Sequence, residues 1–208
     1  DGDVAYYAMI TNIDDNVGRL LAQLKQLGLE NDTLVIFLSD NGGSGETGPK
    51  GLLKGDLPGS ATSEVFCGQS WATLENTPFR RYKMSNHEGG ISTPLIAHWP
   101  AGIKACGELR HQPGHLVDIM ATCVDVAGAK YPKQINGKEI QPMEGRSLVP
   151  AFKNKPIKRD ALYWEHMGNA AIRVGDWKLV RSGRDGPWEL YDLKTDRTEL
   201  HDLAAEKP

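Results

Sequence analysis

The stretch Thr33-Leu34-Val35-Ile36-Phe37-Leu38-Ser39-Asp40-Asn41-Gly42-Gly43 decides how this chain folds. Its apolar half does not alternate with polar residues, and it carries β-branched side chains. That pattern predicts a strand buried on both faces, as in a parallel sheet covered by helices. The strand runs into Asp40-Asn41-Gly42-Gly43. In open α/β sheets, sites collect at the carboxyl ends of strands. A carboxylate and an amide carbonyl are hard oxygen donors suited to Ca²⁺ or Mg²⁺. Read on its own, the same tetrapeptide is a turn, because all four residue types favour turns. Calcium also takes about six to eight oxygens, and two residues do not complete that shell.

Outward from this strand, apolar positions recur at three- and four-residue intervals. Met9, Ile10, Ile13, Val17, Leu20, Leu21, Leu24 and Leu27 predict an amphipathic helix over 4–28, stopped at Gly28. Pro94 to His98 reads as a second buried strand, and 114–128 as a helix ending at Gly128. Helix and strand alternate, so the fold class is α/β. Two strands apolar on both faces need more neighbours than this chain supplies. They are expected either to recruit strands from another chain or to belong to the C-terminal piece of a larger protein. Residues 42–90 read as a long glycine-rich loop, a length usually reserved for function.

After Pro150 the pattern changes. Ala161–Trp164, Ala170–Val174, Trp177–Arg181 and Trp188–Tyr191 are short strand-like runs, and Gly175-Asp176 suits a two-residue hairpin. The expected division is an α/β segment over 1–150 and a small antiparallel sheet over 151–208.

Composition sets outer limits. The 208 residues are 39% hydrophobic and 25% charged, which fits a globular protein with a real core. A net charge of −3 argues against a nucleic-acid partner. No run approaches the roughly 20 apolar residues that cross a bilayer. The chain opens at Asp1 without an initiator Met, as a processed or truncated polypeptide would. Cys67, Cys106 and Cys123 lack zinc spacing. Cys123 reads as a small core residue, and a Cys67–Cys106 bridge stays open.

The other chemistry-bearing stretch is Arg81-Tyr82-Lys83-Met84-Ser85-Asn86-His87-Glu88-Gly89-Gly90-Ile91. Lys83 offers a point charge and three donors to an anionic ester. Taken alone, a lysine is more often a solvated surface residue. His87 could donate to an anion or move a proton, although a loop histidine is usually a hydrogen-bonded one. Glu165 and His166 end an expected strand and could line a rim. Gly42-Gly43-Ser44-Gly45 lacks the lysine of a phosphate-binding loop and is set aside.

Seven stretches in one order resemble the C-terminal portion of type I sulfatases, in the alkaline-phosphatase-like superfamily. They are Tyr6–Met9 with Asp14–Leu20, Ser39–Gly42, Asn76–Lys83 with His87–Ile96, Leu116–Thr122, Gly145–Leu148, Trp164–His166, and Arg173–Leu179 with Glu189–Leu193. The resemblance implies a partial sulfatase-like sandwich with a small C-terminal antiparallel sheet. It implies Asp40 and Asn41 as ligands of Ca²⁺, in preference to Mg²⁺. It makes Lys83 the catalytic contact of the sulfate ester, with His87 beside the substrate. Such enzymes use a formylglycine, made from Cys or Ser, whose hydrate attacks sulfur and releases the alcohol. The Cys/Ser-X-Pro-X-Arg motif that yields it is absent from these residues, so it is expected upstream, and the isolated chain is expected to be inactive. A sulfate ester substrate, with sulfated glycans as the family's guess, goes with a periplasmic, secreted or lysosome-like compartment. The alternatives are a phosphatase or phosphonate hydrolase of the same superfamily, or a non-catalytic module binding sulfated glycans.

Overall fold

A computed structural model describes residues 2–207. Asp1 and Pro208, the outer ends of the two expected segments, lie outside it. The first element is helix α1, Gly2–Gln26. Gly28 follows at φ 70, a left-handed stop that glycine adopts without a Cβ penalty. Strand β1 is Val35–Leu38, hairpin β2–β3 is Leu52–Lys54 with Glu64–Phe66, and helix α2 is Gln69–Glu75. A single helical turn, α3, spans Glu88–Ile91, and β4 is Leu95–His98. Then come α4, Asp118–Val126, the short ribbon β5–β6, Gln134–Ile135 with Lys138–Glu139, and α5, Val149–Phe152. Strands β7 to β10 are Leu162–His166, Asn169–Val174, Trp177–Arg181 and Glu189–Asp192.

The chain divides into two compact units. One holds the residues up to Glu30, Ile36–Ala97 and everything from Ala161; the other holds Asn31–Val35 and His98–Asp160.

In the first unit, β7 to β10 form an antiparallel sheet in the order β10-β9-β8-β7. Val174 pairs with Trp177 across Gly175-Asp176, the two-residue turn the sequence predicts. His166 pairs with Asn169, so Met167-Gly168 is a second tight turn. Both of its central residues have positive φ, 50 and 88, which matches the twist of the flanking strands. The sheet's inner face carries Ala171, Val180, Tyr191 and Leu193, with Trp164 packed against them. This is the main apolar cluster among the described residues.

Strands β1 and β4 pair only with each other in the described residues. The expectation that both are buried on two faces is not met. Phe37, Leu95 and Ile96 are 49%, 40% and 61% exposed, because a two-stranded ribbon has no neighbours to cover them. The same holds for α1, where Met9, Ile10, Ile13 and Leu20 are exposed. The 42–90 segment is also not one loop, since it contains β2, β3, α2 and α3.

In the second unit, the fully buried Asp118 organises the chain. Its carboxylate accepts from the His115 amide at 2.8 Å, the Arg146 amide at 2.7 Å and the Arg159 guanidinium at 2.5 Å. Cys123 on α4 is exposed rather than a core residue, and none of the three cysteines is in a disulfide. Its apolar spacing identified a helix face, and nothing among the described residues covers that face.

Candidate active site

Three segments of the first unit meet around Lys83. The Asp40–Gly43 turn follows β1. Its Gly42 amide donates to the Gly90 carbonyl at 3.0 Å, and its Gly43 carbonyl accepts from the Lys83 amide at 3.0 Å. Two main-chain bonds therefore tie the turn to both ends of the 83–90 loop. The approach is close enough to exclude side chains. A Cβ on Gly42 would lie 1.8 Å from the Gly89 carbonyl oxygen, and a Cβ on Gly89 would lie 2.3 Å from the carbonyl oxygens of Arg80 and Arg81. Gly42 is thus required by the approach of the turn to the loop, and Gly89 by the return of the loop onto Arg80 and Arg81.

The Lys83 ammonium lies 2.7 Å from the Glu46 carboxylate, and about a third of its side chain is exposed. The hydrogen bond that Lys83 donates to Glu46 comes first, and Asp40 adds to it, in holding Lys83 above the usual lysine value. Lys83 is therefore a firm cation, with Asp40 within electrostatic reach. Met84 beside Lys83 and Arg81 two residues before it have φ of 79 and 68, in the left-handed region that bulky side chains rarely occupy. Such conformations cost free energy and persist only where surrounding contacts hold them. The Met84 carbonyl accepts from the Asn169 amide at 2.8 Å, and the His166 ring approaches the Met84 sulfur at 3.4 Å.

Asp40 is exposed at the end of β1. The Asn41 side-chain amide donates to the Gly42 carbonyl at 2.9 Å, which leaves its own carbonyl oxygen facing elsewhere. Asp40 and Asn41, adjacent in the chain, carry a carboxylate and an amide carbonyl, the donor type calcium takes. Among the described residues no group of three or more His, Cys, Asp or Glu side chains gathers at a potential metal site. The pair fits calcium as part of a shell rather than as a shell.

His87 is fully buried. Its Nε2 lies 3.1 Å from Glu189 and its Nδ1 2.9 Å from the Ser85 hydroxyl. A carboxylate only accepts, so Nε2 carries the proton and Nδ1 accepts from Ser85 in the neutral ring. Burial leads in pushing the His87 pKa down, against the pull of Glu189 and Glu199. Glu189 also accepts from the Tyr191 hydroxyl, and Arg80 stands 3.6 Å away. Both ring nitrogens are thus committed within the loop and β10. Trp164 packs on the sheet, the Glu165 carboxylate accepts from the Gly168 amide at 3.2 Å, and His166 sits beside Met84.

Residue patterns alone did not single out Glu46, Lys178, Glu199 or Asn169. One signal was available. Lys178 and Val180 occupy the same face of β9 by the two-residue period, so a charge stood at an inward position.

The chain matches the sulfatase family model over residues 3–129 and the model for the C-terminal part of N-sulphoglucosamine sulphohydrolase over residues 79–208. An uncharacterized sulfatase of Schizosaccharomyces pombe is 32% identical, over 98% of this chain and 40% of its own length. The N-acetylgalactosamine-6-sulfatase of Mus musculus is 29% identical over 92% of this chain and 32% of its own. A Bacteroides thetaiotaomicron protein from a locus for the metabolism of multiple glycosaminoglycans superposes with a TM-score of 0.68 at 22% identity, over 94% of this chain and 40% of that one. The phosphonate monoester hydrolase of Silicibacter pomeroyi superposes with a TM-score of 0.61 at 21% identity, over 95% and 35%. The two superpositions show a shared fold. This chain spans two fifths or less of the length of each of these proteins.

Proposed function

The chain belongs to the sulfatase family, and from that premise we propose that it forms the C-terminal part of an enzyme hydrolysing sulfate esters. One observation carries this reading. Lys83 and the Asp40-Asn41 turn, 43 positions apart by their outer members, are locked to each other by main-chain hydrogen bonds. That main-chain link between the segments carrying a firm cation and two hard oxygen donors supports an anionic ester bound beside a metal.

In this reading Asp40 and Asn41 are two of the ligands of a calcium ion. Bound there, the ion would supply positive charge to the ester oxygens, and an upstream formylglycine hydrate would supply the nucleophile. This chain's own part is electrostatic. Lys83 donates to the sulfate and stabilises charge building on the bridging oxygen as the alcohol departs. Glu46 holds the ammonium when no anion is bound and releases it to the substrate. His87, neutral and hydrogen-bonded at both nitrogens, supports the loop beside the substrate. Residues 1–150 would complete the main α/β domain and 151–208 the small sheet subdomain. A sulfated glycan is the substrate class we favour, with a periplasmic, secreted or lysosome-like location.

The experiment is hydrolysis of an aryl sulfate by the full-length protein, with an aryl phosphonate assayed in parallel. Preference for the sulfate is expected. Faster turnover of the phosphonate would favour the phosphonate-hydrolase alternative, and inertness toward both would favour a binding module. Lys83→Ala is expected to lower kcat/KM by about 10²–10³, the scale of losing one charge-stabilising donor. An unchanged kcat/KM would remove Lys83 from its role.

A further inference from the structure

We infer that the C-terminal sheet sets the position of the Lys83 loop, through a buried ionic post made by Glu199 and Lys178. The coupling rests on geometry; its catalytic consequence rests on the sulfatase reading above.

The post joins three buried residues, each at most 3% exposed: Glu88, Lys178 and Glu199. The Lys178 ammonium, on β9, lies 2.9 Å from one Glu88 oxygen and 2.8 Å from one Glu199 oxygen. The other Glu199 oxygen accepts the Glu88 main-chain amide at 2.7 Å. Arg197 approaches Glu88 at 3.4 Å, so two carboxylates face two cations. Glu199 itself stands at φ 55, an unusual backbone for its residue type. Its carbonyl accepts from Arg80, whose guanidinium also donates to the Tyr191 hydroxyl at 2.8 Å.

From the post, main-chain bonds lead directly to the site. The residue after Glu88, Gly89, donates to the Arg80 carbonyl at 2.8 Å, and the next, Gly90, accepts from Gly42 of the metal-ligand turn. Gly43 of that turn accepts from Lys83. Asn169, at the start of β8, provides a second hold. Its amide donates to Met84, and its carbonyl accepts from the Gly183 amide at 2.9 Å. Lys83 is thus flanked by two residues in left-handed conformations, one of them anchored by the sheet. A buried ion group is an inefficient source of stability, since desolvation cancels much of its attraction. It is an effective way to fix a main chain, because its two carboxylates accept only in defined directions.

Glu199 and Lys178 are fully buried, so they are positioning residues acting through Lys83. The test is a double-mutant cycle in the full-length protein, with Glu199→Ala and Lys83→Ala, read by aryl sulfate kinetics. A loop displaced by about 1 Å costs on the order of 10²-fold. Glu199→Ala is therefore expected to lower kcat about ten- to a hundredfold, with KM moving much less. In the Lys83→Ala background the same change should cost markedly less, because only the part of the loss that runs through Lys83 is removed. A merely structural residue would give the same fractional loss in both backgrounds, and that additivity would overturn the proposal. Hydrogen exchange of the Gly42 and Lys83 amides supplies a readout without activity. Faster exchange in Glu199→Ala is expected, and unchanged protection would overturn the coupling. If wild type proves inert on aryl sulfate, the sulfatase reading fails while the exchange data still decide the coupling. Should Glu199→Ala not fold, Glu199→Gln, which keeps the shape and an acceptor for the Glu88 amide, carries both readouts with a smaller expected effect.

Discussion

At the scale of single residues, the electrostatics of the candidate site centre on Glu46 and His87. Glu46 occupies the Lys83 ammonium that an anionic substrate would need. Glu46→Gln keeps the shape and removes the competing charge. It is expected to tighten inhibition by inorganic sulfate several-fold, measured by competition in steady-state assays. No change would mean that the pair opens without cost. His87 makes a different prediction, one about stability and pH. Burial lowers its folded-state pKa, so the unfolded chain takes up the proton first, below about pH 6.5. Its stabilising contribution is present above that pH and is lost as pH falls toward the folded value. The Tm of wild type should drop on acidification from pH 7 to 5, and the drop should be shallower in His87→Gln. Equal slopes would take His87 out of the balance. Glu88 acts in a lower window. Burial raises its pKa, but Lys178, helped by Arg197 and Arg173, outweighs burial and leaves it below the ordinary carboxylate range. Its contribution therefore stays in place until pH falls below the usual carboxylate values.

At the scale of elements, the site depends on how closely two turns approach. Gly42 meets the Gly89 carbonyl with no room for a methyl group. Gly42→Ala must part the Asp40 turn from the Lys83 loop or strain both. A cost of about 1–3 kcal/mol is expected, the range for overpacking a tight interior, read as a lower urea midpoint. A substitution without effect would show that the turns yield freely. The strand elements were legible in the sequence because their signals are local. Alternation and the Gly175-Asp176 turn placed all four strands of the C-terminal sheet to within one or two residues. The elements inside 42–90 were not legible. Strands β2 and β3 are three residues each, and α2 is seven, too short for a period to stand out.

At the scale of the whole molecule, the described residues expose much of their best apolar surface. Tyr7, Met9, Ile10 and Ile13 on α1, and Phe37 and Ile96 on the paired strands, are about half exposed or more. The exposed apolar side chains at helical spacing on α1 form a face of the kind that marks an interaction surface. The 208-residue chain expressed by itself is expected to enhance ANS fluorescence and to sediment with concentration-dependent association. Replacing Phe37 and Ile96 by threonine should reduce both, and a monodisperse chain silent to ANS would contradict the exposure described here. The amino-acid sequence by itself determined the helix and strand types, the turn after Gly175, and the order of motifs that marks the sulfatase family. Those features depend on neighbours a few positions apart, or on residue identities in order. Only the tertiary structure decided that Glu46 pairs with Lys83, that both nitrogens of His87 are engaged, and that Glu199 reaches Glu88 across 111 positions. The physical reason is that a polar or charged group is satisfied by whichever partner the folded chain brings within reach, and a buried charge such as Lys178 requires an opposite one. Which distant residue supplies that charge depends on how the chain returns in space.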